Sequence, residues 1–290
     1  VRKVFRQHTI ALIYDFDGTL SPQPMQEYTV LPELGISPRA FWEECQQEAR
    51  KYKADPMLTY MRLLTEKIEA QQTHLNKKKL RNLAKGIRYF PGVETWFDRI
   101  NGHVKEASDG KVKIRHYIIS AGLKEILEGV SIRRHFAQMY ASEYFFDHHD
   151  AARFPTVVIN DTSKTQYIFR INKGIEDIRR SINEYMPESE RPIPFANMLY
   201  IGDGLTDVPC MTVTKNNGGF AVAVYKPRNP GSLTVCRKLA RANRIDYFAP
   251  ADYRAGKTLE KRVKLILDVI MARIMFHKEQ FTFRREIEKP

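Results

Sequence analysis

Cysteine is scarce in this chain. Cys45, Cys210 and Cys236 are three among 290 residues, far apart and without metal-ligand spacing. That excludes a disulfide framework and a cysteine-built metal centre, and it points to a reducing compartment such as the cytoplasm. Long apolar runs are also missing. None approaches the roughly 18 residues that a membrane-spanning helix needs, so no membrane partner is expected. The stretch from Ile10 to Tyr14 is too short for a signal-peptide core, and no cleavage signal follows it. There is no internal repeat, no low-complexity segment, and no zinc knuckle or aromatic RNA-binding signature. Acidic residues are outnumbered, with 34 Asp and Glu against 47 Lys and Arg, a net charge of +13. Such a field favours anions, whether a nucleic acid, an acidic membrane surface or a phosphorylated small molecule. The basic residues are scattered, and the loose groups at Lys77 to Arg88 and Arg254 to Lys264 read as solvated helix faces.

Hydrophobic residues make up 43% and aromatics 11%, enough for a sizeable core in one large domain or two modest ones. Short β-branched runs alternate with longer amphipathic stretches, the pattern of an α/β protein. Thr9 to Asp15 is nearly continuous in apolar residues, as in a strand buried on both faces. Ile114 to Ser120, Met198 to Gly202 and Phe220 to Tyr225 read alike. In open parallel sheets ligands sit beyond the carboxyl ends of the strands, so the ends of these runs are the first places to look for a site.

The segment from Ser21 to Tyr89 lacks a convincing strand and is rich in helix formers. Ser37-Pro38 and Asp55-Pro56 each combine an N-cap residue with proline at the first helical turn. Phe90-Pro91-Gly92 breaks the pattern, and a helix from Val93 to about Val104 leads back to the sheet. Further on, Val157-Val158-Ile159 and Tyr167-Ile168-Phe169 read as a hairpin turning at Asn160-Asp161. Ile175 to Tyr185 reads as helical, and Leu259 to Phe276 as an amphipathic helix packed on the sheet.

Asp15-Phe16-Asp17-Gly18-Thr19 follows the first strand directly. A turn at Gly18 can bring both carboxylates toward one point. Neighbouring carboxylates repel unless a cation or proton compensates them, and magnesium, with its preference for oxygen ligands, is suited to the task. One carboxylate can attack phosphorus, and the other can protonate the leaving oxygen and then activate water.

These residues carry a family resemblance. Asp15-Phe16-Asp17-Gly18-Thr19-Leu20 resembles the first motif of the haloacid dehalogenase (HAD) superfamily, and Gly202-Asp203-Gly204-Leu205-Thr206-Asp207 resembles the fourth. Ile118-Ile119-Ser120-Ala121-Gly122 is similar to the second. Lys173, ahead of Gly174, suits the third, with Lys164 as the competing lysine. The resemblance spans Ile10 to Tyr225. It implies a Rossmann-like parallel sheet formed by residues 1–20 and 90–290, with a mainly helical cap at residues 21–89 inserted after the first strand. It also implies roles. Asp15 would be the nucleophile and a metal ligand, and Asp17 the general acid and base, touching the metal through its carbonyl. Thr19 would orient the loop. Ser120, Ala121, Gly122 and Lys173 would hold the phosphoryl oxygens. Asp203 would bind Mg2+, and Asp207 would support the metal or the lysine.

Asp17 favours a phosphatase or phosphomutase over a dehalogenase, because an alkoxide leaving group needs a proton and a halide does not. The expected function is a magnesium-dependent phosphatase acting on a small phosphomonoester through an aspartyl-phosphate on Asp15, with phosphoserine phosphatases as the most similar branch. Two alternatives stand beside it. One is a pyrimidine 5′-nucleotidase, suggested by Ser120-Ala121-Gly122 and the Asn172-Lys173 pair. The other is a non-catalytic, basic nucleic-acid-binding protein on the same fold, supported only by charge, so nucleic acid is not the expected partner. Asp147-His148-His149-Asp150 reads as an exposed loop, since adjacent side chains diverge. Cys210, Phe41 and Trp42 read as packing residues. Met25, Glu27 and Tyr28 follow the first motif closely enough to face the site.

Overall fold

The β1 strand (Thr9–Tyr14) is apolar at nearly every position because it lies at the middle of the sheet, covered on both sides. This computed structural model describes residues 4–71 and 75–287. The remaining strands are β2 (Lys113–Leu123), β3 (Phe136–Phe146), β4 (Ala152–Val157), β5 (Met198–Gly202), β6 (Phe220–Tyr225) and β7 (Tyr247–Pro250). Their spatial order is β4-β3-β2-β1-β5-β6-β7. All neighbours pair in parallel except β3 and β4, which form an antiparallel edge. The chain order reverses around β1, with β2 on one side and β5 on the other, so a crevice opens beyond the carboxyl ends of these three strands.

Alternation along β1 divides the core. Ile10, Leu12 and Tyr14 join the larger cluster, while Ala11 and Ile13 join the one on the opposite face. Six helices lie between β1 and β2: α1 (Met25–Tyr28), α2 (Val30–Glu33), α3 (Pro38–Tyr52), α4 (Pro56–Ala70), α5 (Lys77–Leu83) and α6 (Val93–Ala107). The fold is thus α/β with a helical cap after the first strand. Asp55 caps α4 by accepting from the Met57 and Leu58 amides at 2.8 and 3.0 Å, whereas the Ser37 side chain makes no such bond at the start of α3.

Beyond β2 come α7 (Lys124–Leu127), α8 (Lys164–Lys173), α9 (Val208–Asn216), α10 (Pro230–Arg241) and α11 (Thr258–Ile287). The buried stripe of α11 runs from Leu259 to Ile274, close to the amphipathic stretch expected, but the helix continues to Ile287 with Phe283 and Ile287 exposed.

The expected hairpin is corrected. The antiparallel pair is β3 with β4, and its turn is Asp147 to Ala151, closed by the Asp147 amide on the Ala151 carbonyl at 3.0 Å. The Asp147-His148-His149-Asp150 run is therefore a hairpin turn. Tyr167-Ile168-Phe169 lies in α8, not in a strand. Buried Lys164, Tyr167, Ile168 and Ile171 recur at helical spacing. Asn160 and Ser163 cap the start reciprocally, each side chain accepting from the other's amide at 2.9 and 2.8 Å. Residues 175–185 do not form the expected helix. Gly174 ends α8 in the left-handed region, and Arg170 donates to the Ile175, Asp177, Ile178 and Arg180 carbonyls, so the segment wraps around that guanidinium.

Beneath the sheet's carboxyl end runs a buried polar chain. The Trp96 indole donates to the Tyr14 hydroxyl at 3.0 Å, which contacts His116 Nδ1 at 3.1 Å, and His116 Nε2 meets Asn101 Oδ1 at 2.9 Å. Asn Oδ1 only accepts, so Nε2 carries the proton, and a neutral ring then accepts the Tyr14 hydroxyl hydrogen at Nδ1. Burial, reinforced by His135, pushes the His116 pKa down to about 3. The unfolded chain takes up this proton near pH 6.5, and the fold does not until about 3. The stability that His116 contributes is complete above pH 6.5 and falls as pH drops through that window, by at most about 1.4 kcal/mol per pH unit. Urea unfolding of His116→Gln, compared with wild type from pH 7 to about 4.5, is expected to show a shallower acid loss; parallel curves would contradict a neutral buried ring.

Candidate active site

Asp15 is the first residue past β1, and its amide is tied to the Ile201 carbonyl of β5 at 3.0 Å. That bond aligns the ends of the two strands, so Asp203, one residue past β5, arrives beside it. Asp15, Asp203 and Asp207 each offer an oxygen within 4.8 Å of the others. The turn after β1 permits this approach. Gly18 has φ +82°, and a Cβ there would run into the Asp203 carboxylate. A Cβ on Gly202 would likewise strike the Asp207 carboxylate.

Lys164, at the start of α8, enters the cluster from the opposite face. Its Nζ lies 2.8 Å from Asp207 Oδ1 and 3.3 Å from Asp15 Oδ1, and it is almost completely buried. Asp207 is fully engaged. Its Oδ1 also accepts from the Tyr200 hydroxyl at 2.7 Å, and its Oδ2 from the Asp203 amide at 3.1 Å. Asp207 thus orients the lysine and pins the turn carrying Asp203.

The structure therefore brings Lys164, and not Lys173, to the acidic cluster. Lys173 sits at the other end of α8 and donates to the Ile182 and Glu184 carbonyls at 2.5 and 2.6 Å, holding the segment after the helix. Its neighbour Asn172 donates to the Ile193 carbonyl at 2.8 Å. The Asn172-Lys173 pair that suggested a nucleotidase is a loop clasp. The Asn160 to Ser163 cap was the signal that could have placed Lys164 at a helix start; reading Tyr167 to Phe169 as a strand obscured it.

Asp17 stands apart from the three clustered carboxylates. Its Oδ1 accepts from the Met25 amide at 2.9 Å, fixing it at the mouth of the cap, so as a side chain it is not part of the acidic trio expected to hold a metal. Ser120 is buried within β2, three residues before its end, where its Oγ accepts from the Gly122 amide at 3.0 Å. The Thr19 carbonyl accepts from the Tyr253 hydroxyl at 2.7 Å, while the buried Thr19 Oγ1 has no partner among the described residues. Cys210 packs in the core as read. Asn160, which caps α8, also contacts Asp55 Oδ2 of the cap at 3.4 Å.

The electrostatics follow from this crowding. Burial raises the Asp15 carboxyl to about 7, the pull of Lys164 opposing it. Burial, then repulsion from Asp207 and Asp15, raises Asp203 to about 8. Burial and the charge of Asp15 hold the Asp17 carboxyl well above its ordinary range. For Lys164 burial acts against the charge, yet Asp15 and Asp207 outweigh it and its pKa is raised. One ammonium serving three carboxylates leaves surplus negative charge. A hard divalent cation with oxygen ligands fits that surplus, and Asp15 and Asp203 are the carboxylates free to share it.

Between the cap and the strand ends lies a cavity of about 420 Å³. Asp17, Ala121 and Gly122 form its core side, and Pro24, Gln26, Trp42, Cys45, Ala49, Arg50, Met57 and Tyr60 are among its cap residues. Trp42, read from sequence as packing, is thus a wall of the cavity.

Residues 12–212 match the model of the haloacid dehalogenase-like hydrolases. The chain belongs to that family. An uncharacterised protein of Borreliella burgdorferi is 31% identical over 278 residues, covering 88% of this chain and 95% of that one. Among solved structures, a HAD family hydrolase from Salmonella enterica serovar Typhi superposes with a TM-score of 0.57 at 17% identity, over 90% of this chain and 72% of that one. A substrate-bound phosphoserine phosphatase gives 0.55 at 13% identity, over 89% and 98%. A probable phosphoserine phosphatase from Vibrio cholerae gives 0.57 at 12%, over 91% and 66%. At these identities the likeness is one of fold, and it includes the helical cap of the phosphoserine phosphatases.

The two lysines are separable by stability. Lys164→Met strips a buried ammonium from its carboxylates and is expected to cost about 3 kcal/mol or more. Lys173→Met loses two partly exposed hydrogen bonds and should cost about 1 kcal/mol. Equal losses in denaturant titrations would show that the buried cluster does not depend on Lys164.

Proposed function

We propose that the chain is a magnesium-dependent phosphomonoesterase that works through a phosphorylated Asp15. The observation that carries this is the placement of Asp15 against Lys164 and Asp203, with Asp17 held separately by Met25 at the mouth of the cavity. Two carboxylates next to each other in sequence register thereby have different environments and can take different tasks.

In the first half-reaction an Asp15 carboxylate oxygen attacks phosphorus. The bond from phosphorus to the ester oxygen breaks, and Asp17 gives its proton to the departing alkoxide. The raised pKa of Asp17 favours the protonated form that this needs. In the second half-reaction Asp17, now a carboxylate, takes a proton from water as that water attacks phosphorus. Inorganic phosphate leaves, and the Asp15 carboxylate is restored. Lys164 neutralises charge on the phosphoryl oxygens and on Asp15, with its ammonium fixed by Asp207. Ser120 Oγ, which keeps its own hydrogen while accepting from the Gly122 amide, and the Ala121 amide are the donors to the phosphoryl group, and Thr19 holds the loop through its carbonyl, which accepts from Tyr253. Asp15, Asp203 and the Asp17 carbonyl would hold Mg2+, which would supply charge compensation to the phosphoryl group. Asp207 serves the lysine rather than the metal.

Asp15→Asn is expected to lower kcat by on the order of a thousandfold or more, and EDTA should stop phosphate release that added magnesium restores. Substantial turnover by the variant would remove the covalent mechanism. Because hydrolysis of phosphorylated Asp15 also uses Asp17 and is common to all esters, Asp17→Asn is read in the burst of alcohol release: the burst rate should fall by about a hundredfold for alkyl phosphates and be spared for p-nitrophenyl phosphate, whose leaving group departs without a proton. Equal losses on both would contradict the acid role.

A further inference from the structure

The cavity over Asp17 has a composition that bears on the substrate. Its helical wall is one face of α3: Trp42, Cys45, Gln46, Ala49 and Arg50 recur at helical spacing, along about 12 Å of helix axis at 1.5 Å per residue. Pro56, Met57 and Tyr60 of α4 face them across the same space. Most of this lining is apolar. Among the described residues, the sole carboxylate in it is Asp17 and the sole cation is Arg50, whose guanidinium has no hydrogen-bond or ion-pair partner among them.

Two aromatic rings in the wall are held in place. The Trp42 indole donates to Glu27 Oε1 at 2.9 Å, and its ring lies 5.1 Å from Phe41 and 5.8 Å from Tyr60, centroid to centroid. The Tyr60 hydroxyl accepts from the buried Gln26 amide at 3.3 Å. Trp42 and Tyr60 already touch, so no ligand ring fits between them. Their planes meet at 57°, so the two rings form a corner, and a flat ligand stacks on one ring with its edge toward the other, at little entropic cost because both rings are fixed.

The same lining disfavours an ammonium group on the substrate, although Arg50 would suit a carboxylate. An ammonium group entering the cavity would meet no carboxylate except Asp17, which the reaction needs. Glu27, the acid nearest the first motif in sequence, is absent from the lining and spends an oxygen on Trp42.

We infer that the substrate is a phosphomonoester whose alcohol carries an aromatic ring and no ammonium group, the ring packing on Trp42 and Tyr60. The inference rests on the phosphatase reading of Asp15 and narrows it to a substrate class.

The test is a set of phosphate esters with primary alkoxide leaving groups, so that leaving-group chemistry is held nearly constant: phenethyl phosphate, n-propyl phosphate and O-phospho-L-serine, assayed with magnesium beside Asp15→Asn. Phenethyl phosphate is expected to exceed both others in kcat/KM by about tenfold or more. In Trp42→Ala the ratio of phenethyl to propyl ester should fall toward one, and Trp42→Phe should keep most of it. If Trp42→Ala does not fold, Tyr60→Leu is read in its place. Asp15-dependent turnover that favours phosphoserine, or treats all three alike, overturns the substrate class and leaves the phosphatase reading standing. No Asp15-dependent release from any of the three overturns both.

Discussion

One buried ammonium balanced against three carboxylates organises this molecule. Lys164 reaches Asp15 and Asp207 at the same time, and Asp207 in turn holds the backbone that carries Asp203. Charges removed from water in this way are tolerated only when each is met by another charge or a hydrogen bond. The strands that deliver them must therefore agree in register. The Asp15 amide bond to Ile201 ties β1 to β5, and α8 enters from the far face with its first residue as the cation. The central strand can carry this load because its own residues are buried on both sides and cannot slide without exposing them.

Two kinds of region surround that centre. Beneath it the molecule is fixed, as in the chain of hydrogen bonds through Trp96, Tyr14, His116 and Asn101. Above it the cap supplies a mostly apolar wall, with Arg50 as its cation. The division fits the needs of a phosphoryl-transfer centre, in which electrostatic groups have to be held by rigid elements and discrimination between alcohols can be left to an inserted segment. The Asn160 contact with Asp55 joins the two, since the residue that caps the lysine helix also touches the residue that caps α4.

Much of this arrangement was legible in the chain. The four short apolar runs became β1, β2, β5 and β6, because parallel strands covered on both faces need continuous rather than alternating hydrophobicity. The carboxylates at the ends of two of them became the site, as the topology of open parallel sheets requires. The cap was visible as a strandless stretch with Asp55-Pro56 in its middle. The lysine was misplaced for a physical reason. Around Val157 to Phe169 the β-branched and aromatic residues suit strand and helix about equally, and the deciding contacts are tertiary. The segment after Gly174 misled similarly: its helical pattern is overridden by Arg170, which takes up the carbonyls a helix would have used. Trp42 gave no sign of its place on the cavity, because an aromatic at a helical position looks the same whether it meets core or ligand.

Gly18 and Gly202 contribute no functional group, yet the volume that their side chains would occupy is filled by the carboxylates of Asp203 and Asp207. The site is thus bounded by what two residues do not have. A map of essential positions drawn from acids, bases and donors alone would pass over both, and drift at either would silence the centre with every charged residue still in place.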